Sequence, residues 1–523
     1  MKNTVKFVIW ILCLACVAVS LFACGGNGSQ QTTQSPDAKY NYIVDGNPAS
    51  SAPEGNYVVY ARHTEDESVW LKWDYSAKKV ANEGVDASKV NVYMYSVGKL
   101  YSSVEEMAAD TSIAENTRVG TVSYYDSVGR GAAVYQIVNK ASSSEITIDL
   151  ANGLVAKLVP FTVGEEKVIT VDMVGAHGDG DTSDNLVIEE ALNYRYHTTL
   201  EFESDCYMQT ASMTLQRGDI KVNGKGASIH NRYENGRVEG DFSISGRPNK
   251  YLENIVFCYL EFNCTEEDGK GALHNNAGHG QFGSTCTKNL HIYGCRFINN
   301  ITDPLRQVGA VSIRNYIDVI FENNTIINLS GARQHSGGLW FWSDANDFSR
   351  VSQNAIIRNN YIEKTGHDET LAFFMGAFDG ILVENNTIYT HDEPDGYASA
   401  HAIGFGVWDC PTTVKNVIFR NNKVDVVSNR DAMMFSVVEN IAIYDNEITL
   451  RQNGSEPIAN GVFRVTYHAE NYAAAGLTNI TQTNVEIYNN KITVYNSAQI
   501  PVAHESCFAF NLHDNEYTCN IIK

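Results

Sequence analysis

Three ionisable side chains stand in a row at His367, Asp368 and Glu369, directly before the apolar run LAFFMG. An imidazole beside carboxylates is equipment for proton transfer. Related groups recur nearby: Arg333, His335, His401, Arg430 and Asp431. Two chemistries fit these residue types. β-Elimination at a uronate needs a base for the proton α to the carboxylate and a cation to neutralise that carboxylate. His367 or His401 would supply the base, and Arg430 or Arg333 the cation. Glycoside hydrolysis needs two carboxyl groups instead, which Asp368, Glu369 and Asp431 would provide. Carboxylates grouped in this way are also ligands for calcium. Structural turns collect polar groups too, hydrogen-bonded to one another without any chemistry.

The elements that must hold these residues are written as a repeat. LHIYGCRFINN, VIFENNTIINLS, AIIRNNYIEKTG, ILVENNTIYTHD, VIFRNNKVDVVS, IAIYDNEITLRQ and VEIYNNKITVYN share one template, in which alternating apolar residues are broken by a turn pair that is most often Asn-Asn. Its anchors are Cys295, Asn324, Asn360, Asn386, Asn422, Asn446 and Asn490. A core period in the twenties with variable insertions marks a solenoid, whose coils bury their inward side chains only by stacking. Asparagine suits the turn between strands because it tolerates left-handed backbone. A second strand follows in each coil, in GAVSIRN, GGLWFWSD, TLAFFMG, HAIGFGVW, DAMMFSV, GVFRVTY and CFAFNL. Alternation predicts that Val311, Leu339, Leu371, Ile403, Met433 and Phe508 face inward. Two positions earlier stand Gly309, Gly337, Glu369, His401, Asp431 and Ser506. Coils stack roughly 4.8 Å apart, so His335, His367, Asp368, Glu369, His401, Arg430 and Asp431 are expected to gather in one patch. Trp340, Trp342 and Phe374 point outward beside it, where aromatic faces suit stacking on sugar rings or packing beneath a loop.

The solenoid is preceded by VDMVGAHGDGDTSDNLVIEEALNY. Its Gly175, Ala176, Gly178, Asp179, Gly180 and Asp184, with a short helix after them, resemble the opening of the pectate-lyase-like right-handed β-helix superfamily. The resemblance runs from about Val171 to Lys523. It implies an all-β chain, a right-handed parallel β-helix plugged at its N-terminal end, and a polysaccharide lyase or glycoside hydrolase. The glycine and aspartate residues themselves read as turn and cap. GHGQFGS followed by VSIRN is similar to a segment of the polygalacturonase family, with His279 and Arg314 at the matching positions. Asn315 stands where that family has lysine, and its paired aspartates have no counterpart upstream.

The remaining text sets the context. Seven strand-like runs between Tyr57 and Val171 predict a β-sandwich-like accessory domain over 53–168, with the solenoid over 169–523. MKNTVKFVIWILCLACVAVSLFAC has the form of a secretory signal over 1–23, and LFAC resembles a bacterial lipobox with Cys24 as the lipidated residue. A Gly/Ser/Gln-rich tether fills 24–52. The expectation is an exported lipoprotein held at the bacterial cell surface by its lipid anchor. A net charge of −22 excludes a nucleic-acid partner. The eleven cysteines form no zinc-like pattern. The partner expected is a polysaccharide. The alternative to an enzyme is a non-catalytic surface lipoprotein that binds glycan or builds the envelope.

Overall fold

The computed structural model describes residues 40–140, 144–231, 242–264, 280–299, 309–329, 337–344, 346–366, 368–391, 401–406, 410–428, 430–452, 461–478, 481–496 and 498–521. The chain is a right-handed parallel β-helix preceded by a smaller β-domain. Each coil contributes three strands. One coil reads Leu339–Trp342, then Val351–Arg358, then Tyr361–Thr365. These lie on three faces, here called first, second and third. The first face continues through Leu371–Phe374, Ile403–Phe405, Met433–Phe435 and Phe463–Val465, all parallel. The third face is a twelve-stranded sheet ending at Glu516–Ile521. In two earlier coils the first and second faces run together as the 14-residue strands Gly280–Tyr293 and Gly309–Glu322.

The inward positions explain why the coils stack. Val311, Leu339, Leu371, Ile403, Met433 and Phe463 are in register and buried. Two residues on, Phe341, Phe373, Phe405 and Phe435 form a ring stack with centroids 4.8, 5.9 and 5.6 Å apart. Each buried Phe contributes about 1.5–3 kcal/mol by desolvation, and ring contacts add to that. Phe508 departs from the expected pattern: its side chain is 87% exposed. Ala503, not Phe508, bridges to Phe463, because a 3-10 turn over Glu505–Cys507 redirects the chain.

The paired asparagines divide their work. The first of each pair takes the left-handed backbone, with φ of 57° at Asn359, 57° at Asn385 and 54° at Asn421. The second turns inward and links the coils. Asn360 N–H donates to Asn386 Oδ1 at 3.0 Å, Asn386 N–H to Asn422 Oδ1 at 2.9 Å, and Asn422 N–H to Asn446 Oδ1 at 2.9 Å. A second ladder, absent from the sequence expectations, bends the second face in mid-strand. Asn289, Asn354, Asn416, Asn440 and Asn484 all have positive φ there. Their side chains bond along the axis, as from Asn484 to Asn440 at 2.9 Å and from Asn440 to Asn416 at 3.0 Å.

At the N-terminal end, a four-stranded sheet takes in Asn41–Val44 and Tyr57–His63, and a five-stranded sheet includes Ala133–Val138 and Val155–Val159. Their facing side chains share one core with the solenoid. The hairpin Phe161–Val163 and Glu166–Thr170 pairs with the first solenoid strand. The helix Asn185–Asn193 follows the glycine-rich turn and buries Ile188, Ala191 and Leu192. Asp184 stands at its N-cap, yet its carboxylate accepts from the N–H groups of His177 and Gly178 at 2.7 and 3.1 Å. It therefore closes the preceding turn. The seven cysteines whose side chains are described are free thiols. Among the described residues no helix is long and apolar enough to cross a membrane.

Candidate functional site

The register of the first face decides which ionisable groups meet. Leu371 pairs with Ile403, and Ile403 with Met433. The residues two positions before them, Glu369, His401 and Asp431, therefore occupy successive coils at one corner of the solenoid. Gly337 and Gly461 hold the same position in the coils on either side. The column inferred from alternation is thus continuous over Glu369, His401 and Asp431.

His401 lies at the centre of this column and is buried. Its Nδ1 is 2.9 Å from the backbone carbonyl oxygen of Asp431. A carbonyl only accepts, so Nδ1 carries the proton, and a neutral ring keeps its lone pair on Nε2. Burial pushes the imidazole pKa below its ordinary value, with the Asp431 carboxylate acting in the opposite direction. The ring is therefore neutral at pH 7 and has one basic nitrogen.

Asp431 has no exposed side-chain surface. Arg464, on the next coil, reaches back to it, with Nη1 3.5 Å from Asp431 Oδ2. The Arg464 side chain stays partly open to solvent. This residue was not singled out in the sequence. Its signal was available: it occupies the first outward position of GVFRVTY, directly beside Met434 on the neighbouring strand. Arg430 is half-buried, and its N–H donates to Ser428 Oγ at 3.1 Å.

Glu369 lies over the first face. A Cβ at Gly404 would come 3.2 Å from Glu369 Cγ, so the glycine gives the carboxylate stem its room. Asp368 is at the corner itself, in left-handed backbone with φ 75°. Its carbonyl and that of Gly366 each accept from Lys364 Nζ at 2.5 Å. The Lys364 side chain is fully buried and ties the corner from inside. His335, His367 and Arg333 lie outside the described residues, as do His279 and Cys24.

The aromatic residues point away from the solenoid interior but are packed. Trp340 and Phe374 are buried, in a cluster with Ala372 and Met434. Trp340 Nε1–H donates to the Glu369 carbonyl at 2.8 Å. A Cβ at Gly337 would lie 1.9 Å from the Trp340 indole, so only glycine fits beneath it. Trp342 is half-buried and covered by the Arg314 guanidinium, 4.5 Å from the ring centre. The three rings thus form the side wall of the column. Among the described residues no three His, Cys, Asp or Glu side chains gather closely enough to hold a metal ion.

No family model matches the chain, and no curated protein matches it. Solved structures do. The tailspike gp49 of Acinetobacter baumannii bacteriophage Fri1, a capsular polysaccharide depolymerase, is similar at 11% identity and TM-score 0.45, over 81% of this chain and 76% of that one. The Streptococcus pneumoniae surface protein and adhesin PfbA is similar at 12% identity and TM-score 0.36, over 68% and 100%. The enzymatically active domain of bacteriophage CBA120 tailspike protein 2 is similar at 10% identity and TM-score 0.36, over 76% of this chain. The chain spans 57% of the length of that last structure.

Proposed function

We propose that the protein is a carbohydrate-active enzyme that cleaves a polysaccharide at the column of Glu369, His401 and Asp431. The observation that carries this reading is the pinned tautomer of His401. A neutral, buried imidazole whose Nδ1 carries the proton leaves Nε2 as its basic nitrogen, the form a general base needs. Arg464, paired with Asp431 from the next coil, supplies a cation able to neutralise a developing negative charge. Base plus guanidinium is the pairing that elimination from a uronate requires. Hydrolysis would use Glu369 and Asp431, two coils or roughly 10 Å apart, near the separation that inverting enzymes use. The ion pair and full burial of Asp431 count against it as a catalytic acid, so elimination is the preferred chemistry. A lipid anchor at Cys24 would hold the enzyme at the cell surface.

The test incubates the purified protein with uronate and neutral polysaccharides, with and without calcium. New reducing ends and the ultraviolet absorbance of unsaturated uronate are read together. Both signals, lost in His401→Ala, support elimination; reducing ends alone support hydrolysis. A second reading, a non-catalytic glycan-binding protein, is favoured by Tyr361 and Tyr389. Their rings lie 5.7 Å apart on the third face, away from the column, and Tyr361 is exposed. Binding without either product, lost in Tyr361→Ala, would support it and overturn the enzyme.

A further inference from the structure

The smaller domain sends one loop, residues 124–131, across the glycine-rich turn at the mouth of the solenoid. Tyr125 stacks on His177 with ring centres 4.6 Å apart, and its hydroxyl donates to the Gly175 carbonyl at 3.0 Å. Arg130 Nη2 donates to the carbonyls of His177 and Gly178 at 2.6 and 3.2 Å. The fit is close: a Cβ at Gly175 would lie 2.7 Å from the Tyr124 ring, and one at Gly131 would lie 2.3 Å from the Asp172 carbonyl oxygen. The turn glycines are therefore there to receive this loop.

Two solenoid carboxyl groups anchor it from below. Asp172 Oδ1 accepts from Arg130 Nε at 3.2 Å, and its Oδ2 from Tyr207 Oη at 2.5 Å. Glu203 Oε2 accepts from the Gly131 N–H at 2.9 Å, and the Glu203 N–H donates back to Asp172 Oδ2 at 3.1 Å. Both carboxyls are buried. The titratable groups facing Glu203 are Asp172, Arg130, Tyr207 and Tyr75, and the Thr170 hydroxyl also bonds to it. A cavity of ≈ 40 Å³, lined by Glu203, Arg130, Tyr75 and Lys72 among others, leads to it. That is room for about two or three waters, enough to carry a proton in or out.

We propose that residues 124–131 form a proton-operated strap over the mouth of the solenoid, held down while Glu203 carries a proton and released locally when that proton is lost. Burial, and the Asp172 carboxylate next to it, push the Glu203 pKa up to about 8 from 4.5. The raised value means that the closed strap binds the proton more tightly than the open one. Closure is therefore fully favoured below pH 4.5 and weakens as pH rises to about 8. Two like charges would otherwise share one dry site.

The Arg130–Gly131 bond makes the release measurable, because trypsin cleaves there only when the strap is open. With fast opening and closing, the cleavage rate follows the open population. Linkage through Glu203 alone raises that population roughly eightfold between pH 7 and pH 8.5. Glu203→Gln keeps an acceptor for Gly131 and cannot ionise, so it serves as the control at each pH. The expected result is an eightfold rise in cleavage at Arg130 for the wild type, relative to the variant. Equal rises in both would overturn the proposal. Should Glu203→Gln fail to fold, Asp172→Asn replaces it. Removing the neighbouring charge, the smaller of the two causes, must lessen the rise, and an undiminished rise would overturn the proposal as well.

Discussion

At the scale of single residues, His401 and Arg464 carry the sharpest expectations. If His401 is the base, His401→Ala lowers kcat by about 10²- to 10⁴-fold. The wild-type pH–rate profile then has an acid limb below pH 6.5, because burial lowers the imidazole pKa and activity is lost only as pH falls through that lowered value. A profile whose acid limb lies above pH 6.5 would rule His401 out. Arg464→Lys keeps a charge but loses the planar fork. It is expected to raise KM on a uronate polymer several-fold while leaving binding of a neutral polymer unchanged, which a titration with each would check. One alignment was legible beforehand. Alternation alone aligned Glu369, His401 and Asp431, since a period of two fixes the face on which each side chain lies. Arg464 was missed because its meaning depends on a contact with the preceding coil, which a single strand's pattern does not contain. Alternation left Trp340 open to sugar stacking or to packing beneath a loop; its burial follows from the space left by Gly337 and from the Glu369 carbonyl on another coil.

At the scale of elements, the inner asparagine ladder holds the winding. Asn386 accepts from Asn360 and donates to Asn422, to the Ile357 carbonyl and to the Glu384 carbonyl. Asn386→Ala would leave a buried N–H and a buried carbonyl without partners, at a cost of about 3 kcal/mol. Asn440→Ala, in the exposed outer ladder, is expected to cost under about 1 kcal/mol. Denaturant melts of the two variants should separate by that margin, and equal losses would mean that the inner ladder adds nothing beyond its turns. The inner ladder was readable as a repeated NN or DN, because the motif recurs at the same place in successive coils. The outer one was hidden: its Asn, Asp and Gly members share only a tolerance for left-handed backbone. Phe508 was misplaced for a related reason. The 3-10 turn over Glu505–Cys507 breaks the period, and nothing in CFAFNL announces the break.

At the scale of the whole molecule, stability is assembled from neighbour-to-neighbour contacts along the axis. Glu201, near the solenoid's entrance, is nearly fully buried between Lys225 at 3.2 Å and Arg62 at 3.5 Å, and it accepts from Tyr60 Oη at 2.7 Å. Lys225→Met removes one partner of a buried charge, at a cost of about 3–5 kcal/mol. Because distant coils share no contact with Glu201, hydrogen exchange should accelerate around 199–223 and stay unchanged around 433–450. Uniform acceleration would show that the solenoid unfolds as one block. The corners of the coil differ in one further respect. From Tyr259 onward the turn from second to third face is two residues, such as Asn359–Asn360, Asn385–Asn386 or Asn421–Asn422, whereas the first coils use the longer turns 171–178, 202–205 and 224–227. The two corners that border the first face range from the single residue Met375 to the long segment between Val465 and Thr483. Past Tyr259, length variation among the described residues therefore falls at the corners that border the first face, the side that carries Glu369, His401 and Asp431. Over evolutionary time such a chain can exchange the loops at these corners as freely as an antibody changes its own, while the spool beneath keeps its gauge.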